Sequence, residues 1–304
     1  MPERNKMPTI NNILFPTDFS ENAKQALPYA LEIAYQTGAT IHLLHSIEEP
    51  YDFAPLAQEV KKSVSHKVDL LLQEILEDIQ QQKKYSKLNI KTQIQSGRAL
   101  YTILEEAQNV NSDLIIMGTR GRSGFEKIFL GNTTAEIIEH ATIPVLAIPK
   151  ESSTPNFERI LFTTNYKDND LKALQYVANF ARLFESKITV FHAAMESDLQ
   201  NEILFRGFRE LISESIDYDK IEFEQAPSSD FVDTMNQKVK ADTPSLVVMV
   251  RYEKPFSFFG KKHSKEMSYS VSRPLLVVPS NQDFYARDKQ TGKKESKKEQ
   301  PVKE

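Results

Sequence analysis

The chain has 304 residues, 40% hydrophobic and 26% charged, with 15 prolines, nine glycines and neither cysteine nor tryptophan. That length suggests two domains of ordinary size, and the apolar content excludes a wholly disordered chain. Without cysteine there can be no disulfide, thiolate nucleophile or cysteine-based metal site, and a net charge of −4 gives no general reason to expect nucleic-acid binding.

The opening residues Met1–Met7 precede no apolar core of a signal peptide, and no run approaches the roughly 18 apolar residues of a membrane span. The expectation is a soluble, cytoplasmic protein with neither a membrane nor a nucleic acid as partner. The apolar run Ile13–Pro16 predicts a buried strand. A helix follows from about Asn22 to Tyr35, with Ala23, Ala26, Leu27, Ala30, Leu31 and Ala34 on one face. Gly38 stands just past it, where a left-handed residue is expected. Ile41–Ile47 reads as the next strand, and Val60 to Ile79 carries helical spacing. Leu88, Ile90, Thr92 and Ile94 alternate with polar residues, as in an edge strand with one wet face. Leu114–Met117 is apolar throughout, which suits a central parallel strand. A helix after Gly131 and the strand Val145–Ile148 complete five strands and four helices.

The plan then repeats. Sliding Ile13–His45 onto Ile160–His192 gives eleven identities, among them Thr17, Asn22, Tyr29 and His45, where chance supplies roughly two. Asp113–Met117 matches Ser245–Met249, and Ile143–Pro149 matches Arg273–Pro279. The expected organisation is one domain over residues 8–150, a linker at 150–157, a second copy over 157–280 and a charged, disordered tail over 281–304. The βαβα order implies α/β domains with doubly wound, five-stranded parallel sheets, which bind ligands at the strands' carboxyl ends near the switch in strand order.

Four glycines fall between residues 118 and 131, in GTRGRSGFEKIFLGNTT. A loop between strand and helix can wrap backbone N–H groups around phosphate oxygens when no Cβ intrudes. The following helix adds unpaired donors and a positive dipole end. Arg120, Arg122 and Lys127 against Glu126 make the loop positive.

The spacing Gly118-x2-Gly121-x9-Gly131, followed by Asn132 and Thr133, resembles the nucleotide-binding loop of the universal stress protein family. Ile13–Ser20 and Ile41–Ile47 are similar to the first two strands of such proteins. The likeness extends over both copies and implies an adenine-nucleotide alpha-hydrolase-like fold, with the two copies forming a pseudo-dimer through their last strands, Val145–Ile148 and Leu275–Val278. Carried over, it places Pro16, Thr17 and Asp18 at the nucleoside end and Ser46 against adenine. Met117, Gly118, Gly121, Gly131, Asn132 and Thr133 would surround ribose and phosphates. The implied cofactor is ATP, with magnesium.

Asn132 departs from the Ser or Thr usual in that family. As an N-cap former it should preserve the helix start. Arg120 and Arg122 either reach phosphate or remain exposed without a ligand. Asp18 either faces the ligand or forms a capping box with Glu21, and Ser20 is an alternative cap. The second copy replaces Pro16 by Thr163, Asp18 by Asn165, Gly118 by Val250 and Gly121 by Glu253. Lys261 and Lys262 stand for Gly131 and Asn132, so nucleotide binding is expected in the first copy only.

His42 and His45 lie three apart on one strand and point to opposite faces, so they cannot readily share a metal. His45 and Tyr29 recur as His192 and Tyr176, which suggests structural roles. No catalytic acid–base pair can be named. The functional expectation is a stress-response or signalling protein governed by adenine nucleotide, with protein partners or a homodimer possible. A slow ATPase or phosphotransferase, and a nucleotide-free scaffold, are the alternatives.

Overall fold

A computed structural model describes residues 10–48, 57–119, 131–152, 154–194, 199–252 and 273–280. The N-terminal half runs β1 Asn12–Pro16, α1 Glu21–Thr37, β2 Thr40–Ile47, α2 Ala57–Gln81, β3 Ile90–Ser96, α3 Ala99–Asn109, β4 Leu114–Gly118, α4 Asn132–His140 and β5 Val145–Ile148. The C-terminal half repeats this as β6 Arg159–Thr163, α5 Asp168–Phe184, β7 Lys187–Ala194, α6 Leu199–Ser215, β8 Ile221–Pro227, α7 Phe231–Asp242, β9 Leu246–Arg251 and β10 Leu275–Pro279. The helix expected between β9 and β10, and the tail from residue 281, lie outside the described residues.

The ten strands among the described residues form one sheet, ordered β3-β2-β1-β4-β5-β10-β9-β6-β7-β8. Pairing within each half is parallel, and only the central β5–β10 pair is antiparallel, with Leu276 opposite Leu146. Each last strand thus covers the edge of the other half, as the family resemblance led us to expect. An unpaired apolar edge would invite aggregation. The central strands are covered on both faces, so β4 is apolar from Leu114 to Met117 and buried there. At the outer edges, β3 and β8 mix half-buried with exposed residues.

Local sequence accounts for the helix ends. Gly38 has φ 75° and returns its N–H to the Ala34 carbonyl at 2.8 Å, closing α1 with a left-handed residue. Small residues Ala26, Ala30 and Ala34 are fully buried, which lets α1 lie close on the sheet. Phe157 packs against Phe180 and Phe184 of α5, at ring-centroid distances of 5.0 and 4.5 Å, and edge-on to Tyr29 of α1 at 5.7 Å. The Tyr29 hydroxyl donates to the Thr154 carbonyl at 2.9 Å. Tyr29 is therefore a packing residue that ties the connecting segment to α1.

A second tie crosses between the halves. Arg251, at the end of β9, donates to the carbonyls of Ile138 at 2.7 Å and Ala141 at 2.6 Å, and also to that of Glu139. The guanidinium thereby caps the C-terminal end of α4, where the helix dipole is negative.

Candidate functional site

Both halves reverse strand order beside their first strand, between β1 and β4 and again between β6 and β9. These are the switch points where an open α/β sheet leaves a crevice. In the N-terminal half, β1 pairs β2 only as far as Pro16 opposite Leu44, while β2 continues to Ile47. His45, Ser46 and Ile47 thus extend past the end of β1, along the rim.

The turn after β1 is fastened mostly from within. Thr17 is buried, its N–H donates to the Leu44 carbonyl at 2.8 Å, and its hydroxyl accepts the Phe19 N–H at 3.1 Å. The Thr17 carbonyl is held by Nδ1 of His45 at 2.8 Å, and Phe19, at φ 59°, lays its ring 4.6 Å from the imidazole. The C-terminal half repeats the device: His192 holds the Thr164 carbonyl at 2.7 Å, and Tyr166, at φ 57°, lies 4.2 Å from its ring. The repeated histidines are therefore structural, since they shape this turn in both halves. Burial pushes the Tyr166 hydroxyl well above its ordinary titration range, so that phenol stays protonated.

Asp18 does not form the capping box. Ser20 is the N-cap of α1, its hydroxyl accepting the Ala23 N–H at 3.3 Å, while Asp18 accepts the Ser20 N–H at 3.0 Å. A serine one residue before the helix can reach the third N–H, and the aspartate then braces the turn that presents it. Asp18 stays half-buried at the mouth. The Ser46 hydroxyl is taken by Thr102 of α3, leaving its backbone as the part facing the rim.

Gly118 ends β4 against the first turn of α1. A Cβ there would stand 2.8 Å from the Asn22 carbonyl oxygen and 2.9 Å from its carbon. This glycine is required by packing, a role that the loop motif alone did not show. Met117 before it is buried. Arg120, Gly121 and Arg122 lie outside the described residues. At the far end of that segment Gly131 donates its N–H to the Thr119 carbonyl, so the two ends meet.

Gly131, not Asn132, is the N-cap of α4, and no side chain caps it. Asn132 is the first helical residue and exposed, Thr133 is half-buried, and Thr134 is buried with its hydroxyl donating to the Gly118 carbonyl at 2.9 Å. A cap needs extended backbone, which Gly131 supplies at φ −59° and ψ 151°. The structure therefore gathers Pro16, Thr17, Asp18, Ser46, Met117, Gly118, Gly131, Asn132 and Thr133 along the carboxyl ends of β1, β2 and β4 and the start of α4. Sequence reasoning missed Phe19, Thr102 and Thr134; the positive backbone angle at Phe19 leaves no sequence signal.

The matching mouth of the C-terminal half is closed. Asp170, fully buried at the third position of α5, accepts from the Thr164 hydroxyl at 2.8 Å and from the N–H groups of Asn165 at 2.9 Å and Lys167 at 3.2 Å. Tyr252, just beyond β9, reaches across the switch point and donates its hydroxyl to the other oxygen of the same carboxylate. The Lys167 ammonium sits 4.0 Å over the Tyr252 ring. Val250 fills the position of Gly118 and is buried. By alignment, Ala23 and Arg120 occupy the corresponding places in the N-terminal half.

No group of three or more histidine or acidic side chains able to hold a metal occurs among the described residues. None of the described helices is long and apolar enough to cross a membrane.

This is a doubly wound α/β protein whose sheet reverses strand order at two switch points. Residues 9–149 match the model of the Universal stress protein family, so the N-terminal half carries a domain of that family. A universal stress protein of Methanocaldococcus jannaschii is 29% identical over 148 residues, covering 48% of this chain and 86% of its own. The crystal structure of a universal stress protein from Archaeoglobus fulgidus shares the fold over 90% of this chain and 98% of its own, with a TM-score of 0.67 at 20% identity. A putative universal stress protein from Pseudomonas aeruginosa covers 93% of this chain and 98% of its own, with a TM-score of 0.63 at 18% identity. Another solved universal stress protein, described as a complex with cAMP, covers 47% of this chain and 99% of its own at 19% identity. Its TM-score of 0.38 is too low for its ligand to be carried over.

Proposed function

We propose that the N-terminal half binds ATP or a related adenine nucleotide at the carboxyl ends of β1 and β4, and that the chain acts in the cytoplasm as a nucleotide-dependent stress-response or signalling protein. The supporting observation is the contrast between two mouths built on one plan. Tyr252, Asp170 and Val250 close the C-terminal one, and their counterparts in the N-terminal half are Arg120, Ala23 and Gly118. The start of α4 adds N–H groups that no side chain caps, a favourable setting for phosphate oxygens. Arg120 and Arg122 would supply charge-assisted donors, and the Ser46 backbone would meet the base. Magnesium in this reading rides on the nucleotide's own phosphates, since Mg²⁺ usually needs only one or two protein carboxylates and keeps several waters. Asp18 is the carboxylate available to it.

Binding is favoured over turnover because residues 118–133 contain no histidine and a single carboxylate, Glu126, from which to draw a water-activating base. The test is mass spectrometry of small molecules released on denaturing the purified protein, followed by ATP titration of the emptied chain. An adenine nucleotide should be released, and replacing Arg120 and Arg122 by alanine should weaken ATP binding about tenfold or more. No released nucleotide and no binding at millimolar ATP would overturn the assignment and leave a nucleotide-independent scaffold.

A further inference from the structure

The helix α6 has two apolar faces. One buries Phe208 and Ile212 against the C-terminal half. The other carries Leu199, Ile203 and Leu211 in steps of four or eight, exposed by 75%, 60% and 44%, with Leu204 beside them at 42%. Scattered exposed leucines need no explanation, but a continuous stripe marks an interaction surface.

The centre of that stripe is Gly207, the middle residue of the 17 in α6. A mid-helix glycine lowers stability relative to alanine. No packing among the described residues requires it, for a Cβ there would meet no atom within 4 Å. Ile203 and Leu211 stand four residues to either side, so this pair is placed symmetrically about Gly207. Arg206 and Glu210 flank it on one side, both exposed.

We infer that α6 is a homodimer interface, in which a second copy of this chain lays its own α6 antiparallel across Gly207. A two-fold axis through that point sets Ile203 against the partner's Leu211, and Leu211 against the partner's Ile203. Self-complementary pairing of this kind is what a two-fold interface demands. The missing side chain at the crossing lets the two backbones approach closely. Residues on one side of the stripe stay on that side in the pair, so Arg206 comes alongside the partner's Glu210 and exchanges its intrahelical contact with Glu202 for an intermolecular one. A partner of unrelated sequence would not need this symmetry. The last strands β5 and β10 already pair with each other, so they are not available to join two chains. Two crossing helices of this length bury less than the ~1,200 Å² of a standard interface, so the dimer is weak and concentration-dependent. The inference is independent of nucleotide binding.

Sedimentation equilibrium of the full chain from about 1 µM to about 1 mM tests it. The wild-type chain should pass from monomer to dimer across that range. Ile203→Asp should raise the dissociation constant at least about tenfold. Gly207→Leu should do the same while raising helix stability, so lost dimerisation could not be blamed on failed folding. Arg206→Glu should weaken the dimer, and Arg206→Glu combined with Glu210→Arg should restore it. A wild-type chain that stays monomeric throughout overturns the inference, whether its own residues 281–304 or another protein covers the face. A dimer indifferent to these substitutions overturns it equally.

Discussion

Arg251 makes the contact between the halves that one substitution can test most directly. Its two terminal nitrogens engage the carbonyls of Ile138, Glu139 and Ala141, around the end of a nine-residue helix. An isolated helix of that length is unstable in water, so α4 depends on what holds its ends. A hydrogen bond from a charged donor contributes about 1.5–3 kcal/mol, and a cation at a partly buried helix C-terminus up to ~2 kcal/mol. These overlap, because one charge makes all the contacts. Arg251 is also only half-buried, so water replaces part of what is lost. We expect Arg251→Ala to cost about 2–3 kcal/mol.

Urea unfolding followed by circular dichroism should show this as a lower midpoint of the transition that reports the N-terminal half. Amide hydrogen exchange should quicken across the last turn of α4 while β1 and β2 keep their protection. Arg251→Lys keeps the charge without the planar fork and should recover less than half of the loss. An Arg251→Ala chain within about 0.5 kcal/mol of wild type, with α4 protection unchanged, would refute the clamp.

Two further outcomes follow from groups on the page. Gly118→Ala should destabilise the nucleotide-free chain by about 1–3 kcal/mol, because the Asn22 backbone cannot yield to a new Cβ. Thermal unfolding without ligand checks this, and an unchanged midpoint would show that α1 has room to move. Burial and the nearby Lys91 hold His42 below its ordinary titration range. The unfolded chain then binds more protons as pH falls through about 6.5, so the stability tied to neutral His42 is present above that pH and lost below it. His42→Gln should flatten the fall in stability between pH 7 and pH 5, and an identical slope in the variant would exclude His42 as its source.

Much of the fold was legible because its signals are local. A strand covered on both faces must be apolar throughout, so β4 and β5 could be read directly. Gly38 announced the end of α1 because only a residue tolerant of positive φ fits there. The recurrence of His45 as His192 implied a structural role, and the shared bond to the carbonyl after the first strand gives that role its content. Competition among near-equivalent neighbours was harder to read. Asp18 and Ser20 both suit a cap, as do Gly131 and Asn132, and the choice depends on backbone angles that composition does not reveal. Contacts distant in sequence were not legible. Tyr252 and Asp170 are 82 residues apart, and Arg251 meets carbonyls more than 100 residues away.

The closure of the C-terminal mouth is more than the loss of glycines. In the N-terminal half, Gly118 allows α1 to start against the end of β4, and the turn is braced by Asp18 and capped by Ser20. With Val250 in that place the same approach is obstructed, and Asn165 and Lys167 replace the aspartate and serine. The start of α5 is secured instead by Asp170, which gathers one hydroxyl and two N–H groups from the turn and accepts the Tyr252 hydroxyl as well. A carboxylate so deeply buried is tolerable only while those donors remain. Val250→Gly by itself would therefore not reopen the crevice, because Tyr252 stays fastened to Asp170. Removing Asp170 would strip the turn of its common acceptor. The second mouth is a rebuilt structural joint, and Arg251, adjoining Tyr252, extends that joint to the helix that borders the first mouth.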